Sequence, residues 1–464
     1  MKDNGAPESP TAADLRSRAG DAHRAGRMTE ARAHYAAYLA LVPGDAPIWS
    51  NLGALLRSEG RHDLALAAQE RAHVLTPDST VIANNLANIL SDLGHYDRAI
   101  ALRREILKKE PGDANQKAMI GKALRGQGRY AEAITHLTEA AAAHPDQTEL
   151  QMQLALAQLA DRRYVAGFRN YDIRWQTGEL TARQMPHPKW DGSALDGRRI
   201  LVMPEQGFGD AVAFARFLPV LRGFNPARVL FYTEKPLQRL LEGHEGADWT
   251  GSQPRSEDYD VWTNLMDLCA LGFEANDAVP PPIRLTLPDD SVVRARTIVA
   301  PHQDQFKVGV VWCGSVTYRG NAFRSFSHRE FYALLDIPGL QLFSLYKGPE
   351  LAPYLADGSS TLIIDTASSD RDFADCAATM QQMDLIITSD TATAHIAGSL
   401  GIPVWTLLHW DAFWLWQHDG LLTPWYPSMR LFRQRSPRDW AGVFARLHPK
   451  LAARVAEWQQ AHNP

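Results

Sequence analysis

The sequence predicts an α-helical solenoid followed by an α/β region with two Rossmann-like lobes. The first observation is a 34-residue spacing between Pro43, Pro77, Pro111 and Pro145. The second is that short β-rich runs alternate with amphipathic helical runs in the rest of the chain, which is typical of parallel sheets. The third is a Pro-rich stretch, VPPPIRLTLP, that divides these runs into two series. Two such series predict two lobes with a cleft between them.

The 34-residue spacing extends to small residues as well as prolines. It is kept by Gly26, Gly60, Gly94 and Gly128 and by Ala31, Ala65, Ala99 and Ala133. Each unit therefore has a glycine at its turn, an alanine where two helices meet and a proline that ends a helix. This is the tetratricopeptide pattern, in which each helix pair buries its apolar face by stacking on its neighbours. Because stacked repeats present a concave surface, we expect this region to bind a peptide or protein partner.

The changes of pattern along the chain predict five segments. They are a polar tail (1–12), four regular repeats and a degenerate fifth hairpin (13–178), a linker (179–197), a first lobe (198–300) and a second lobe (301–464). In the fifth hairpin Arg162 replaces the turn glycine. Terminal repeats are atypical because one of their faces contacts a neighbour other than a repeat. We expect that neighbour to be the next domain, with Tyr171 and Trp175 as the wedge.

Composition argues against several classes of function. A net charge of −5 with no basic tail gives no electrostatic basis for nucleic-acid binding. The spacing of Cys269, Cys313 and Cys376 fits neither a metal site nor a disulfide framework, which favours a reducing compartment. No run approaches the roughly 18 apolar residues of a membrane span, and the polar start lacks a signal-peptide core. We therefore expect a cytoplasmic protein without a membrane span.

The first candidate site is the motif EQGFGD at 205–210, where a predicted strand passes into a helix. The glycines Gly207 and Gly209 let the backbone approach a ligand closely. Asp210 would lie at the helix start, where the helix dipole keeps a carboxylate ionised. An ionised carboxylate in a cleft can take a proton from an incoming nucleophile. Alternatively Asp210 caps the helix, and one side chain can do both.

The second candidate site is the motif SDTATAH at 389–395, between a predicted strand and a helix. Amides at a helix N-terminus, with nearby Thr hydroxyls, suit a phosphate. Alternatively Asp390 and Thr391 cap the helix, and His395 is a partly buried helix residue. Other strand ends of the same lobe carry Ser315, Arg324 and Lys347. Cations and hydroxyls that converge at one sheet edge indicate an anionic, nucleotide-like ligand.

Two D-x-D triplets, at 258–260 and 370–372, have a form that holds a divalent ion in some sugar-transferring enzymes. The first runs into a predicted strand, and the second opens a helix, where carboxylates are favoured in any case. The histidines show no metal-ligand spacing either. We therefore expect no metal site.

Five segments occur in an order that resembles a known family: EQGFGDAVAFARFLPVL, VGVVWCGS, SLYKG, MDLIITSDTATAHIAGSLGIPVW and TPWYPSMRLFRQ. They resemble bacterial tetratricopeptide proteins with a C-terminal glycosyltransferase domain of the heptosyltransferase type. The resemblance implies a GT-B fold, with the donor nucleotide in the second lobe, the acceptor facing the first and no metal. It implies Asp210 as the base and Lys347, Asp390, Thr391 and His395 as donor-phosphate residues. Gln206, Gly207 and Gly209 would then face the acceptor.

The chain is also similar to flagellin glycosyltransferases of some alphaproteobacteria. That similarity implies a protein acceptor, with flagellin the leading candidate. As in O-linked N-acetylglucosamine transferases, Asn51 and Asn85 lie one repeat apart on a first-helix face, where they could hold a peptide backbone. Alternatively asparagine is ordinary repeat consensus there. The segment HWDAFWLWQHDGLL departs from many relatives, which leaves donor and acceptor identity open.

Taken together, the sequence predicts an inverting, metal-independent glycosyltransferase with a nucleotide sugar as substrate and no cofactor. The acceptor would be a Ser or Thr of a protein held by the repeats. One rival is a heptosyltransferase-like enzyme of lipopolysaccharide synthesis, with repeats that serve assembly. The other is a repeat adaptor whose transferase lobes have lost activity.

Overall fold

A computed structural model describes residues 10–318 and 320–462 of the chain. The chain divides into two compact units, the first ending at Gln153 and the second beginning at Leu154. Most of the predicted tail lies outside the described residues. Its end caps the first helix, since Thr11 Oγ1 accepts a hydrogen bond of 3.2 Å from the Asp14 amide. None of the helices in the described part of the chain combines the length and apolarity that a membrane crossing needs.

The first unit consists of paired helices. They are α1 (Ala12–Arg24), α2 (Met28–Leu41), α3 (Ala46–Ser58), α4 (His62–Leu75), α5 (Thr80–Asp92), α6 (Tyr96–Lys109), α7 (Ala114–Gly126) and α8 (Tyr130–Ala143), followed by α9 (Thr148–Ala160), which runs into the second unit. The repeated glycines turn each pair in the left-handed region at φ values of 73° or 74°. The repeated alanines are all fully buried. Both features were predicted from the 34-residue spacing.

The second unit opens with the rest of the fifth hairpin and a four-stranded parallel sheet. Its helices are α10 (Tyr164–Asn170), α11 (Phe208–Phe214), α12 (Lys235–Leu241), α13 (Asp267–Ala275) and α14 (Asp289–Val299), and its strands are β1 (Arg199–Met203), β2 (Arg228–Tyr232), β3 (Trp249–Gly251) and β4 (Val261–Asn264). The strand order is β3-β2-β1-β4. The order therefore reverses next to β1, and the EQGFGD motif follows that strand.

A six-stranded parallel sheet forms the second lobe. Its strands are β5 (Phe306–Val311), β6 (Leu340–Ser344), β7 (Ile363–Asp365), β8 (Leu385–Ser389), β9 (Val404–Leu408) and β10 (Met429–Arg433), and its helices are α15 (Asn321–Arg324), α16 (Leu351–Ala356), α17 (Phe373–Gln381), α18 (Ala392–Ser399) and α19 (Trp440–His462). The order is β10-β9-β8-β5-β6-β7, which reverses between β5 and β8. Ligands of open α/β sheets bind at such switch points. The solenoid followed by two α/β lobes confirms the predicted fold class.

The fifth hairpin meets the next domain through the predicted Tyr171 and through two residues of α10 that were not predicted. Tyr164 stacks on Phe273 of α13 at 4.3 Å, and Phe168 packs edge-on against Trp414 at 5.6 Å. These two side chains share a helix face because they are four residues apart. Of the predicted wedge residues, Tyr171 does contact the first lobe, because its hydroxyl accepts a hydrogen bond of 2.8 Å from Gln206. The rings of Tyr171 and Trp175 lie against the Arg174 guanidinium, at 5.3 Å and 5.2 Å from their centroids.

Several elements differ from the sequence prediction. β3 and β7 were missed because three residues are too few to show alternation. Two of the amphipathic runs expected to be α-helical contain 3-10 helices instead. AVAFARFLPVLRG is α-helical only to Phe214 and continues as a 3-10 helix over Ala215–Phe224, since Pro219 lacks an amide hydrogen and clashes with the preceding turn. HREFYALL contains a 3-10 helix over His328–Leu334.

Candidate active site

The two candidate motifs meet where α11 and α18 begin. A Cβ atom on Gly209 would lie 2.9 Å from His395 Cδ2 and 3.3 Å from the Cα of Ala392. Any side chain at 209 would therefore push α11 away from the first turn of α18. Because glycine has no side chain, the two helices can approach, and Asp210 of the first lobe lies near Asp390 and His395 of the second.

Asp210 both caps its helix and keeps an oxygen for chemistry. Its Oδ2 accepts a hydrogen bond of 3.0 Å from the Gly207 amide, so the capping alternative is correct for one oxygen. Within the described ranges, Oδ1 has no hydrogen-bond partner. Burial raises the pKa of Asp210 to about 6, and the Asp390 charge adds to this rise, whereas the Gly207 amide and Arg324 oppose it. The half-buried carboxylate is therefore a stronger base than an exposed aspartate.

Arg324 supplies the positive charge of this cluster. Its half-buried guanidinium lies 4.6 Å from the Tyr318 ring centroid and crosses Gly314, where a Cβ would be 2.6 Å from a guanidinium nitrogen. Its charge acts against the rise in pKa of both Asp210 and Asp390. No ion pair of Arg324 with an Asp or Glu occurs in residues 10–318 and 320–462. A cation in this state can bind an anionic ligand without first breaking a salt bridge.

The N-terminus of α18 also lacks a side-chain cap. Thr391 is the N-cap residue, but its side chain makes no capping bond, and its Oγ1 lies 3.2 Å from Thr388 Oγ1 instead. Asp390 is buried and burial raises its pKa, against the charge of Arg324. The alternative in which Asp390 and Thr391 cap the helix is therefore wrong. The first amides of α18 remain for a ligand.

His395 is a buried, neutral histidine. Its Nδ1 lies 3.0 Å from the Tyr426 hydroxyl, and its ring stacks on Trp416 at 5.3 Å. Burial lowers the pKa of His395 to about 3, and the charges of Arg216 and Arg324 lower it further. The side chain therefore carries no charge near neutral pH, and it can meet a phosphate only as a hydrogen-bond donor.

Two further predicted donor residues make other contacts. Lys347 is exposed, and its Nζ donates to the backbone oxygen of Asp370 at the start of α17. Burial raises the pKa of Asp370 to about 7, and the charge of Lys347 is one of those that oppose this rise. Ser315 is exposed, and its hydroxyl lies 2.8 Å from Thr317 Oγ1. Of the predicted donor residues, Asp390 and Arg324 act electrostatically on Asp210, and His395 lies against Gly209 beside it.

A buried ion-pair network fixes the loop that carries Asp210. Arg174, from the 3-10 helix Tyr171–Gln176 that follows α10, donates to both carboxylate oxygens of Glu205 at 2.8 Å and 3.0 Å and to Asp267 at 2.7 Å. Burial alone would lower the pKa of Arg174, but the hydrogen bonds and charges of Glu205 and Asp267 outweigh it and raise the pKa. Gln206, which follows Glu205 in the chain, has a φ of 65° and donates a hydrogen bond to the Tyr171 hydroxyl at 2.8 Å.

The carboxylates of the two D-x-D triplets have structural partners. Asp258 accepts from the Arg255 amide at 2.9 Å, and Asp260 pairs with Arg199 at 2.7 Å. Asp372 caps α17 through the Ala374 amide at 2.9 Å. The absence of a metal in the reaction stays a prediction.

In the repeats, only one of the two predicted partner-binding asparagines is free. Asn51 is exposed. Asn85 is half-buried and donates to Ser50 Oγ at 3.0 Å, which in turn bonds Gln69. Of the two asparagines expected to hold a peptide backbone, Asn51 is therefore accessible to a partner, whereas the amide of Asn85 is engaged by the serine at position 50.

Sequence reasoning missed Arg216, Trp416 and Tyr426, which surround His395. Arg216 offered a signal, since it is the only charged residue in the otherwise apolar run AVAFARFLPVL. Trp416 lies in the segment that departs from many relatives, and Tyr426 in the motif PWYP. Their contact with His395 depends on how the lobes pack, which no local pattern reveals.

Comparison with known proteins supports the description of the repeats. Family models described as tetratricopeptide repeat match residues 18–80, 83–114 and 118–168. Two solved structures are similar in part. A tetratricopeptide repeat protein from Parabacteroides merdae has a TM-score of 0.33 and 17% identity, covering 36% of this chain and 66% of that protein. MamA AMB-1 has a TM-score of 0.31 and 20% identity, covering 37% of this chain and 93% of MamA.

Protein FlbA from Caulobacter vibrioides is 26% identical to this chain over 334 residues. The match takes in 66% of this chain and 55% of FlbA. The chain therefore spans about half the length of that relative. The helical repeats are tetratricopeptide repeats, and the chain is related to FlbA.

Proposed function

We propose that this protein is an inverting, metal-independent glycosyltransferase of the GT-B type. It transfers a sugar from a nucleotide-sugar donor to a Ser or Thr hydroxyl of a protein acceptor bound by the repeats. The observation that carries the proposal is the contact of Gly209 with the first turn of α18. Through it three groups lie near one another: the Asp210 carboxylate, the N-terminus of α18 without a side-chain cap, and Arg324, which forms no ion pair within the described residues.

The reaction is a single displacement. Asp210 Oδ1 takes the proton of the acceptor hydroxyl as that oxygen attacks the anomeric carbon of the sugar. The bond from this carbon to the nucleoside diphosphate breaks, and its electron pair leaves with the phosphate oxygen. Arg324 and the first amides of α18 stabilise the negative charge that develops there. Attack opposite to the leaving group inverts the configuration at the anomeric carbon.

Flagellin is the acceptor that we propose to test first. Kinship with FlbA favours a flagellar role, and the repeats suit a protein partner. Modification would take place in the cytoplasm before export. The full-length protein, flagellin and a panel of nucleotide sugars should give a flagellin mass increase equal to one sugar residue. Donor binding with transfer to a lipid acceptor instead would favour the lipopolysaccharide enzyme. Absence of donor binding in a thermal-shift screen would favour the adaptor.

Arg324→Gln is expected to weaken donor binding by roughly 10- to 100-fold. A hydrogen bond to a charged group contributes about 1.5–3 kcal/mol, and no carboxylate of the described residues pairs with Arg324 in place of the phosphate. Calorimetric titration with the donor found in the screen measures the change. Arg329→Gln is the matched control, because Arg329 is an exposed arginine of the same lobe that pairs with Asp357. Unchanged affinity in Arg324→Gln would place the donor phosphate elsewhere.

The double variant Asn51→Ala with Asn85→Ala is expected to weaken acceptor binding and leave donor binding unchanged. Asn51 presents a free amide, whereas loss of the Asn85 bond to Ser50 costs stability of only about 0.5–1.5 kcal/mol. Acceptor KM and thermal melting separate the two effects. Arg104→Ala, at an exposed position on the second helix of its repeat, is the control. An unchanged acceptor KM would exclude this face from recognition.

A further inference from the structure

A buried polar chain lies behind the first turn of α18. Arg216, from the 3-10 helix after α11, is 4% exposed. Its Nε donates to the Ala213 oxygen at 2.8 Å, and one terminal nitrogen donates to the oxygens of Trp425 at 2.9 Å and Pro280 at 3.0 Å. The other terminal nitrogen, NH2, makes no close hydrogen bond within the described residues, and the Arg216 side chain interacts with Tyr426. No Asp or Glu of that part of the chain pairs with this buried cation.

Tyr426 connects this cation to His395. The Arg216 guanidinium carbon lies 4.7 Å from the centroid of the Tyr426 ring, and the Tyr426 hydroxyl lies 3.0 Å from His395 Nδ1. Burial raises the pKa of Tyr426, and the Arg216 charge opposes that rise. The ring packs on α18 itself, since a Cβ on Gly398 would lie 2.5 Å from it. The phenol is therefore fixed between the cation and the imidazole.

The hydrogen-bond polarity of this chain follows from its composition. A guanidinium only donates and carries a positive charge, so it favours the lone pairs of the phenol oxygen on its own side. The phenol hydrogen is then directed toward His395 Nδ1, which accepts. An imidazole that accepts at Nδ1 carries its hydrogen on Nε2. Because the adjacent Cδ2 lies against Gly209, this edge of the ring faces the EQGFGD loop. The ring is also held from one face by Trp416.

We propose that Tyr426 and Arg216 are positioning residues that hold His395 as the neutral Nε2–H tautomer, so that it donates a hydrogen bond to the departing diphosphate. The inference rests on the proposed glycosyl transfer for the identity of the ligand. In this role His395 donates a hydrogen bond and stays neutral throughout the reaction. A neutral histidine also suits this place, because burial and the nearby charges of Arg216 and Arg324 disfavour a further cation, and a neutral N–H can serve a phosphate that Arg324 already neutralises.

Histidine side-chain NMR on the full-length protein tests the tautomer without donor or activity. In ¹⁵N-histidine-labelled protein, the His395 signals are those absent from His395→Gln. We expect Nε2 to have the shift of a protonated nitrogen and Nδ1 that of an unprotonated one, unchanged between pH 6 and pH 8. Tyr426→Phe keeps the ring against Gly398 and Arg216 but removes the hydroxyl, so the signals should become those of a tautomer mixture.

Inorganic pyrophosphate is the binding probe. It should shift the His395 Nε2–H signal, and Tyr426→Phe should weaken its binding by about three- to tenfold, the range of one neutral hydrogen bond. Tyr354→Phe is the matched control, since it removes a buried hydroxyl that donates to the Ile363 oxygen in the same lobe. It should change neither signal nor affinity. A hydrogen on Nδ1 in the wild type, or unaltered tautomer and pyrophosphate affinity in Tyr426→Phe, would overturn the inference. A failure of glycosyl transfer itself would appear separately, as no mass increase of flagellin with the Nε2–H signals intact.

Discussion

Asp210→Asn should reduce sugar transfer by about 10²–10⁴-fold, the range that a general base contributes. The asparagine oxygen can still accept from the Gly207 amide, so the cap at the start of α11 survives. What is lost is the second oxygen that takes the acceptor proton. Initial rates with saturating donor and flagellin measure the loss, and calorimetry should show donor affinity within about twofold of the wild type.

The matched control for this variant is Asp14→Asn. Asp14 occupies the same position in its helix and accepts from the Thr11 amide at 3.1 Å, in the repeats rather than in the cleft. The Asp14→Asn variant should leave the rate of sugar transfer unchanged. The wild-type rate should fall as the pH drops through about 6, since the protonated form of Asp210 cannot take a proton. The residual rate of Asp210→Asn should lack this fall. Equal rates in wild type and Asp210→Asn would leave Asp210 as a cap only.

Arg174→Met should lower the free energy of unfolding of the second unit by about 3–5 kcal/mol. The substitution leaves the Glu205 carboxylate buried without the guanidinium that now bonds it, whereas the half-buried Asp267 keeps its ion pair with Lys189 at 2.9 Å. Tryptophan fluorescence in a urea titration measures the change. It reports on this unit because, of the 13 tryptophans, only Trp49 precedes Leu154.

Arg163→Met is the control for a loss of charge in the same hairpin. Arg163 forms an exposed pair with Asp161 at 2.8 Å, and exposed pairs contribute less than about 1 kcal/mol. Similar small losses in both variants would mean that the Arg174 network contributes little to stability. A large loss confined to Arg174→Met would identify the network as the anchor of the EQGFGD loop.

The features that the sequence predicted well are those set by local periodicity. The repeats follow from residues that recur every 34 positions, and the longer strands follow from apolar runs bounded by turns. Asp210 and His395 were identified because each lies in a motif at a strand end. Their proximity depends on the contact at Gly209, which joins residues far apart in the chain. Arg216 and Tyr426 were missed for the same reason: each looks like a packing residue until the lobes are assembled.

The place where the chain divides has a consequence for exchange of modules between proteins. Arg174 and Tyr171, at the end of the fifth hairpin, hold Glu205 and Gln206 beside Asp210. A recombination junction in the linker at 179–197 would separate Arg174 and Tyr171 from Glu205 and Gln206. The resulting transferase would lack the contacts that hold the loop carrying Asp210. A junction in the turn at 144–147, between α8 and α9, keeps the anchor with the lobes. Evolution or engineering can therefore replace the first four repeats as a cassette, whereas the fifth hairpin must be inherited with the transferase.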